Sequence, residues 1–236
     1  MPDIPETYNY QLVEKHAAWT EAGPVVSRLP DMEIARLEGR AAATVAEPST
    51  LALFGFATGT WMAGAVFGGY LAPSAQLALA PILLLFAGVA QFIGGLYAFR
   101  RINALTANAF TCYGSYNAIV GLTILLEGSG LIPRGADTNT ILGYLNCSFA
   151  FISLTLMFAG LQRNVVVAAI LGCLTAGYAL IGITQFSLGP HYSIGAVGAA
   201  GGALLFAAAG LAYYMGAAMV INSSWRRTLL PVFGEP

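Results

Sequence analysis

Asn108, Thr111 and Ser115 recur at three- and four-residue spacing inside an apolar stretch, with Tyr113 among them. On a helix that spacing gives one continuous polar face. The face has hydrogen-bond donors and acceptors but no charge. The chemistry open to it is the handling of a small polar solute, not bond making or proton relay. Further neutral groups lie in the other apolar stretches: Thr58, Thr60, Gln91, Asn117, Asn146, Ser148, Thr175, Thr184 and Gln185. In hydrocarbon each is costly unless paired, and the ordinary role of a lone Ser or Thr there is a hydrogen bond between helices.

The groups that acid/base or metal chemistry would need lie elsewhere. The two histidines are His16, in the polar tail, and His191, between apolar blocks, while Glu47 and Glu127 stand at block ends. A membrane enzyme or proton relay would carry His, Asp or Glu inside its spans. No enzyme activity and no catalytic residue is therefore expected. Cys112, Cys147 and Cys173 each sit within an apolar block, without CxxC or Cys/His spacing. They read as small buried hydrophobes, so no metal site, disulfide framework or cofactor is expected.

The elements that position these groups are set by charge. Between Pro48 and Trp225 the only charged residues are Arg100, Arg101, Glu127, Arg134, Asp137 and Arg163, all in gaps between apolar blocks. The whole chain of 236 residues is 57% hydrophobic and 9% charged, where a soluble domain is nearer about 25% charged. The gaps cut the run into blocks of about 20 residues, the length of a helix that crosses the hydrocarbon core. The expected fold is an all-α integral membrane protein with six spans, at about 50–70, 76–99, 105–126, 141–161, 165–186 and 194–220. Pro81 falls in the second turn of the second span, near the helix start, where proline is best tolerated. A net charge of −1 argues against a nucleic-acid partner.

Residues 1–47 form a polar tail without the apolar core of a signal peptide. Ile34, Leu37 and Ala41 recur at helical spacing after Asp31, which predicts a short amphipathic helix over about 31–43. The six-helix domain then covers 48–221 and a C-terminal tail 222–236. Arginines mark one side of the membrane: Arg36 and Arg40, Arg100 and Arg101, Arg163, and Arg226 and Arg227. The positive-inside rule places both termini in the cytoplasm of a cell or inner membrane. Gly55-x-x-x-Gly59, Gly64-x-x-x-Gly68 and Gly198-x-x-x-Gly202 predict close helix packing in a compact protomer that associates with copies of itself.

Three strings carry a family likeness: Gln91-Phe92-Ile93-Gly94-Gly95-Leu96; Asn103 followed by Ala109-Phe110-Thr111-Cys112-Tyr113-Gly114-Ser115; and Arg227-Thr228-Leu229-Leu230-Pro231. With six spans and cytoplasmic termini, residues 47–234 resemble the acetate uptake transporter family, the SatP/YaaH type. The family's opening signature, Asn-Pro-Ala-Pro-Leu-Gly-Leu, reads here Glu47-Pro48-Ser49-Thr50-Leu51-Ala52-Leu53. Pro48, Leu51 and Leu53 are kept, whereas Glu47, Thr50 and Ala52 depart from it. The tryptophan usual after the third-span motif is Asn117. The resemblance implies a ring of six protomers, each a pore through three helix hairpins. Its constriction of an aromatic, a tyrosine and a leucine falls here on Phe56, Tyr113 and Leu174. Glu47, Pro48, Leu51 and Leu53 then mark the pore mouth, and Gln91, Asn108, Thr111, Ser115 and Asn117 are the expected polar lining.

A transporter or channel for a small monocarboxylate such as acetate, with proton coupling, is the function this resemblance implies. An apolar ring excludes hydrated ions by dewetting, and an ionised Glu47 at the mouth would repel carboxylates. Two alternatives stay open. One is a channel for a small neutral solute such as urea, an amide or ammonia. The other is a transport-inactive structural subunit that docks through tail aromatics such as Tyr8, Tyr10 and Trp19.

Overall fold

The computed structural model describes residues 36, 45–133, 135–187 and 195–232. The predicted helix over 31–43, the tail aromatics, both histidines and Arg134 lie outside the described residues or have no described neighbours around them. Residues from Glu47 onward form one compact unit.

Six helices long and apolar enough to cross a membrane follow one another, and no strand occurs among the described residues. They are α1 (Ser49–Phe67), α2 (Gln76–Arg100), α3 (Ala104–Gly128), α4 (Ala136–Gly160), α5 (Val165–Ser187) and α6 (Gly195–Trp225). Most reach past the apolar block that predicted them, most clearly at the polar start of α4 and the end of α6, while α1 stops at Phe67, short of the expected end near 70. Backbone pairing continues through polar residues once a helix has left the hydrocarbon. The chain is a multi-pass membrane protein.

Asn103 caps α3, its Oδ1 accepting from Thr106 N at 3.2 Å. Asn164 caps α5, accepting from Val166 N at 2.8 Å and Val167 N at 3.3 Å. Each satisfies amides that the first turn of a helix leaves without partners. Proline acts differently from the expectation. The residues after Pro81, Ile82–Ala90, are π-helical before regular helix resumes at Gln91. Proline removes one helical donor and crowds the preceding turn, and a wider i to i+5 turn is one way to absorb the misfit.

The helices associate most closely as α2 with α3, α4 with α5, and α6 with α1 and α5. The glycine spacings serve packing inside the protomer. A Cβ on Gly202 would collide with the backbone of Phe67 and Gly68 at the end of α1, and one on Gly64 would lie 3.0 Å from Gly202 O. Helices α3 and α4, by contrast, have few close backbone approaches. Large aromatic side chains hold them apart.

The C-terminal stretch is folded back rather than trailing. Asn222 Oδ1 accepts from Leu229 N and Leu230 N at 2.8 and 3.0 Å, while its Nδ2 donates to Leu230 O at 2.7 Å. Tyr214 OH donates to Pro231 O. The Arg227–Pro231 string is thus a clasp on the end of α6.

Candidate functional site: two cavities and an aromatic barrier

A cavity of about 130 Å³ opens among the ends of α1, α3, α5 and α6. Its rim carries Glu47, Asn103, Arg163 and Asn164, and its floor is Phe56, Tyr113 and Leu174. The walls between are apolar, with Leu53, Ile170 and Met215 among them. The volume is several times what one water needs.

The charge at the rim is not what Glu47 alone would give. Its carboxylate lies 2.8 Å from the Arg101 guanidinium, supplied by the turn after α2. It also accepts from Ser49 N at 3.1 Å and from the Ser49 hydroxyl. The pair is neutral as a unit, so Arg163 leaves the rim net positive. The negative mouth expected from the sequence is therefore offset, because Arg101 is folded against Glu47 from another hairpin. Asn164 adds a second donor. Its Oδ1 is used in capping, but its Nδ2 is buried and has no hydrogen-bond partner.

Below the floor stands a barrier of rings. Phe56 packs on Tyr113 with centroids 5.6 Å apart. Tyr113 also meets Phe149 and Tyr178 at 6.0 and 6.3 Å. Tyr116, one helical turn along α3, touches Phe149 and Tyr178 at 4.7 and 4.9 Å. Two hydrogen bonds from α4 pin the tyrosines. Ser153 donates to Phe149 O, which leaves its Oγ to accept from Tyr113 OH at 2.7 Å. Tyr116 OH donates to Asn146 Oδ1 at 2.8 Å. Ser153 and Asn146 are seven residues apart and share a face of α4. Leu174 is 0% exposed and closes the remaining side.

Beyond the barrier lies a second cavity of about 60 Å³. Its lining includes Val66, Leu83, Tyr116, Glu127, Asn146 and Gln185. The two cavities lie on opposite sides of the ring cluster, one reached by Tyr113 and the other by Tyr116.

Phe56, Tyr113 and Leu174 are thus brought together, as are Glu47 and Leu53 on the same cavity. Pro48 begins α1, its carbonyl accepting from Ala52 N, and Leu51 points to the exposed face. The predicted polar lining is placed elsewhere: none of Gln91, Asn108, Thr111, Ser115 and Asn117 lines either cavity. Asn108 Nδ2, Thr111 Oγ1 and Ser115 Oγ bond carbonyls one turn back on their own helix. Thr111 faces Gly95 of α2. Asn117 Nδ2 donates to Gln91 Oε1 at 3.2 Å and to Ala87 O at 3.3 Å, so this pair serves the α2–α3 contact. Of that face, Thr111 meets α2, while Asn108 is exposed. Missed by the sequence reading as site residues were Tyr116, Phe149, Ser153, Tyr178, Arg163 and Asn164. The signals available were Tyr116 one turn from Tyr113, and an asparagine just ahead of the fifth span.

Comparison with known proteins gives concordant results. The chain is 27% identical over 191 residues to the succinate-acetate/proton symporter SatP of Escherichia coli (strain K12), covering 80% of this chain and 95% of that protein. The same figures hold for the protein of that name from Shigella flexneri. A solved structure described as the bacterial acetate channel SatP superposes with a TM-score of 0.70 at 24% identity, over 80% of this chain and 99% of that one. It shares the fold. The model of the GPR1/FUN34/yaaH family matches residues 34–234, and the chain belongs to that family.

Proposed function

We propose that this protein passes small monocarboxylates, acetate foremost, across the membrane through a pore formed within each protomer, with a proton accompanying the substrate. The observation that carries the reading is a positively charged, donor-bearing cavity that ends on a closed apolar ring. Arg163 and the free Nδ2 of Asn164 suit an acceptor-only group such as a carboxylate. The apolar walls suit a methyl group. A neutral solute such as urea would gain nothing from the positive rim, so the carboxylate reading is favoured. The succinate-acetate/proton symporters and the acetate channel to which the chain is similar support the same class of substrate.

Phe56, Tyr113 and Leu174 act as the constriction, with Phe149, Tyr178 and Tyr116 continuing it. Stripping a carboxylate of water there costs far more than the ring can return. The neutral acid crosses more easily, although at pH 7 it is only about one molecule in several hundred for an ordinary carboxyl pKa. The arginine distribution supports cytoplasmic termini and an inner-membrane location, and with them a first cavity that opens toward the cytoplasm. The family likeness supports a homo-oligomer, a hexamer in this reading.

Labelled-acetate uptake into proteoliposomes tests the function against protein-free vesicles, which set the background of free acid permeation. Saturable uptake with acidification of the lumen is expected. Uptake without acidification sinks the proton-coupled form, and uptake no faster than in protein-free vesicles sinks the acetate reading.

The rim makes its own prediction. Glu47→Gln removes the carboxylate from the rim and so raises its positive potential. The KM for acetate presented at the first cavity is expected to fall about two- to fivefold, an effect that disappears in high salt. An unchanged KM at low salt would mean that Glu47 does not bear on the anion.

A further inference from the structure

The two cavities differ in what they offer a carboxyl group. Among the described residues, the second cavity is lined by no arginine or lysine, and its titratable side chains are Tyr116 and Glu127. Gln185, from the last turns of α5, lines the same cavity while only 4% exposed, and its Oε1 has no hydrogen-bond partner. A buried amide left without partners is costly, and native structures keep such groups for a reason. Its neighbour Asn146 is already engaged, accepting from Tyr116 OH and donating to Leu142 O at 2.7 Å. Gln185 Oε1 is therefore a buried acceptor on this cavity that an occupant can satisfy.

The form of that occupant follows from the inventory of donors and acceptors. An amide presents a carbonyl oxygen and an N–H side by side. A carboxylate is acceptor-only and can answer just the N–H. A protonated carboxylic acid answers both, its O–H donating to Oε1 while its C=O accepts from Nε2. The first cavity is the opposite case, with Arg163 and Asn164 Nδ2 offering donors. We propose that Gln185 is a binding residue for the neutral form of the carboxylic acid in the second cavity, so that the protein selects the acid there and the anion at the first cavity. The proton stays on the substrate oxygen across the ring barrier and is given up to water in the first cavity, where the donors favour the carboxylate. No protein side chain has to relay it across the rings, in keeping with apolar blocks whose acids, Glu127 and Asp137, stand at their ends. This inference rests on the monocarboxylate reading.

The test measures acetate uptake in proteoliposomes from about pH 5 to pH 7 for the wild type and for Gln185→Met, which keeps the length and removes the amide. In the wild type, KM expressed as total acetate is expected to rise about tenfold per pH unit above the carboxyl pKa, while KM expressed as neutral acid stays flat. Gln185→Met should raise KM about five- to tenfold at every pH, with the maximal rate held. A second measurement needs only the wild type: acetamide, which carries the same donor–acceptor edge as the acid, should compete with uptake. Saturable wild-type uptake with an unchanged KM in Gln185→Met, or with no inhibition by acetamide, overturns the role of Gln185 and leaves the acetate reading standing. Absence of saturable wild-type acetate uptake removes both. Should Gln185→Met fail to fold, the acetamide result decides.

Discussion

Leu174→Ala is expected to speed acetate uptake about tenfold and to raise the uptake of larger carboxylates relative to the wild type. Leu174 is fully buried and stands at the floor of the first cavity with Phe56 and Tyr113. Those rings are fixed, because Tyr113 is packed on Phe56, Phe149 and Tyr178 and held by Ser153. Leucine is the member of the proposed constriction whose truncation leaves the others in place. Shortening it joins part of the barrier to the cavity above, and lowering a crossing barrier by about 1.4 kcal/mol is worth a factor of ten in rate. The same change removes packing atoms from a closed site, at a cost of about 2–5 kcal/mol in stability. The two effects separate by experiment: uptake in proteoliposomes reports the barrier, and thermal unfolding in detergent reports the packing. A destabilised variant with wild-type flux and selectivity would make Leu174 a packing residue and move the constriction elsewhere.

Gly202→Ala is expected to prevent the folded protein from accumulating. The added methyl would meet backbone atoms of Phe67 and Gly68 at the end of α1, and backbone cannot rotate away as a side chain can. Helices α1 and α6 would have to part, which also disturbs Gly64 against Gly202 O and the wall that both helices give the first cavity. Overpacking costs about 1–3 kcal/mol, and more where backbone has to move, and little aqueous hydrophobic force is available inside a bilayer to offset it. Size-exclusion profiles of the solubilised protein check this, with Gly210→Ala as control because a methyl there meets nothing within contact distance. A monodisperse Gly202→Ala protein of wild-type thermal stability would show that the crossing is looser than its geometry implies.

The error over the polar face of α3 has a definite physical source. Asn108, Thr111 and Ser115 share a face because of helical periodicity, and a pore was the natural reason for such a face in an uncharged span. Each of the three, however, spends a donor on a carbonyl of its own helix. Ser, Thr and Asn have short side chains that reach the preceding turn, so in lipid they can satisfy themselves without a pore. Periodicity alone cannot say whether a polar face meets solvent, a partner helix or its own backbone. Glu47 misled in the same way. Its charge was legible, but its neutralisation depended on Arg101, which lies more than fifty residues away in sequence and 2.8 Å away in space.

The sequence by itself determined the class of the molecule, the number of its spans and their approximate ends. These follow from a one-dimensional rule: a helix must be about 20 apolar residues long to cross the bilayer, and charges must fall outside it. The three strings also carried the family, and with it Phe56, Tyr113 and Leu174 as a group. Tertiary structure decided which side chains face a cavity and which face a neighbour. It set α3 and α4 apart on a stack of rings, aimed Asn164 and Gln185 at opposite cavities, and turned the glycine spacings inward. Those outcomes depend on contacts between residues distant in sequence. Neutral polar groups can be satisfied in several ways, and only the packing of all six helices selects one of them.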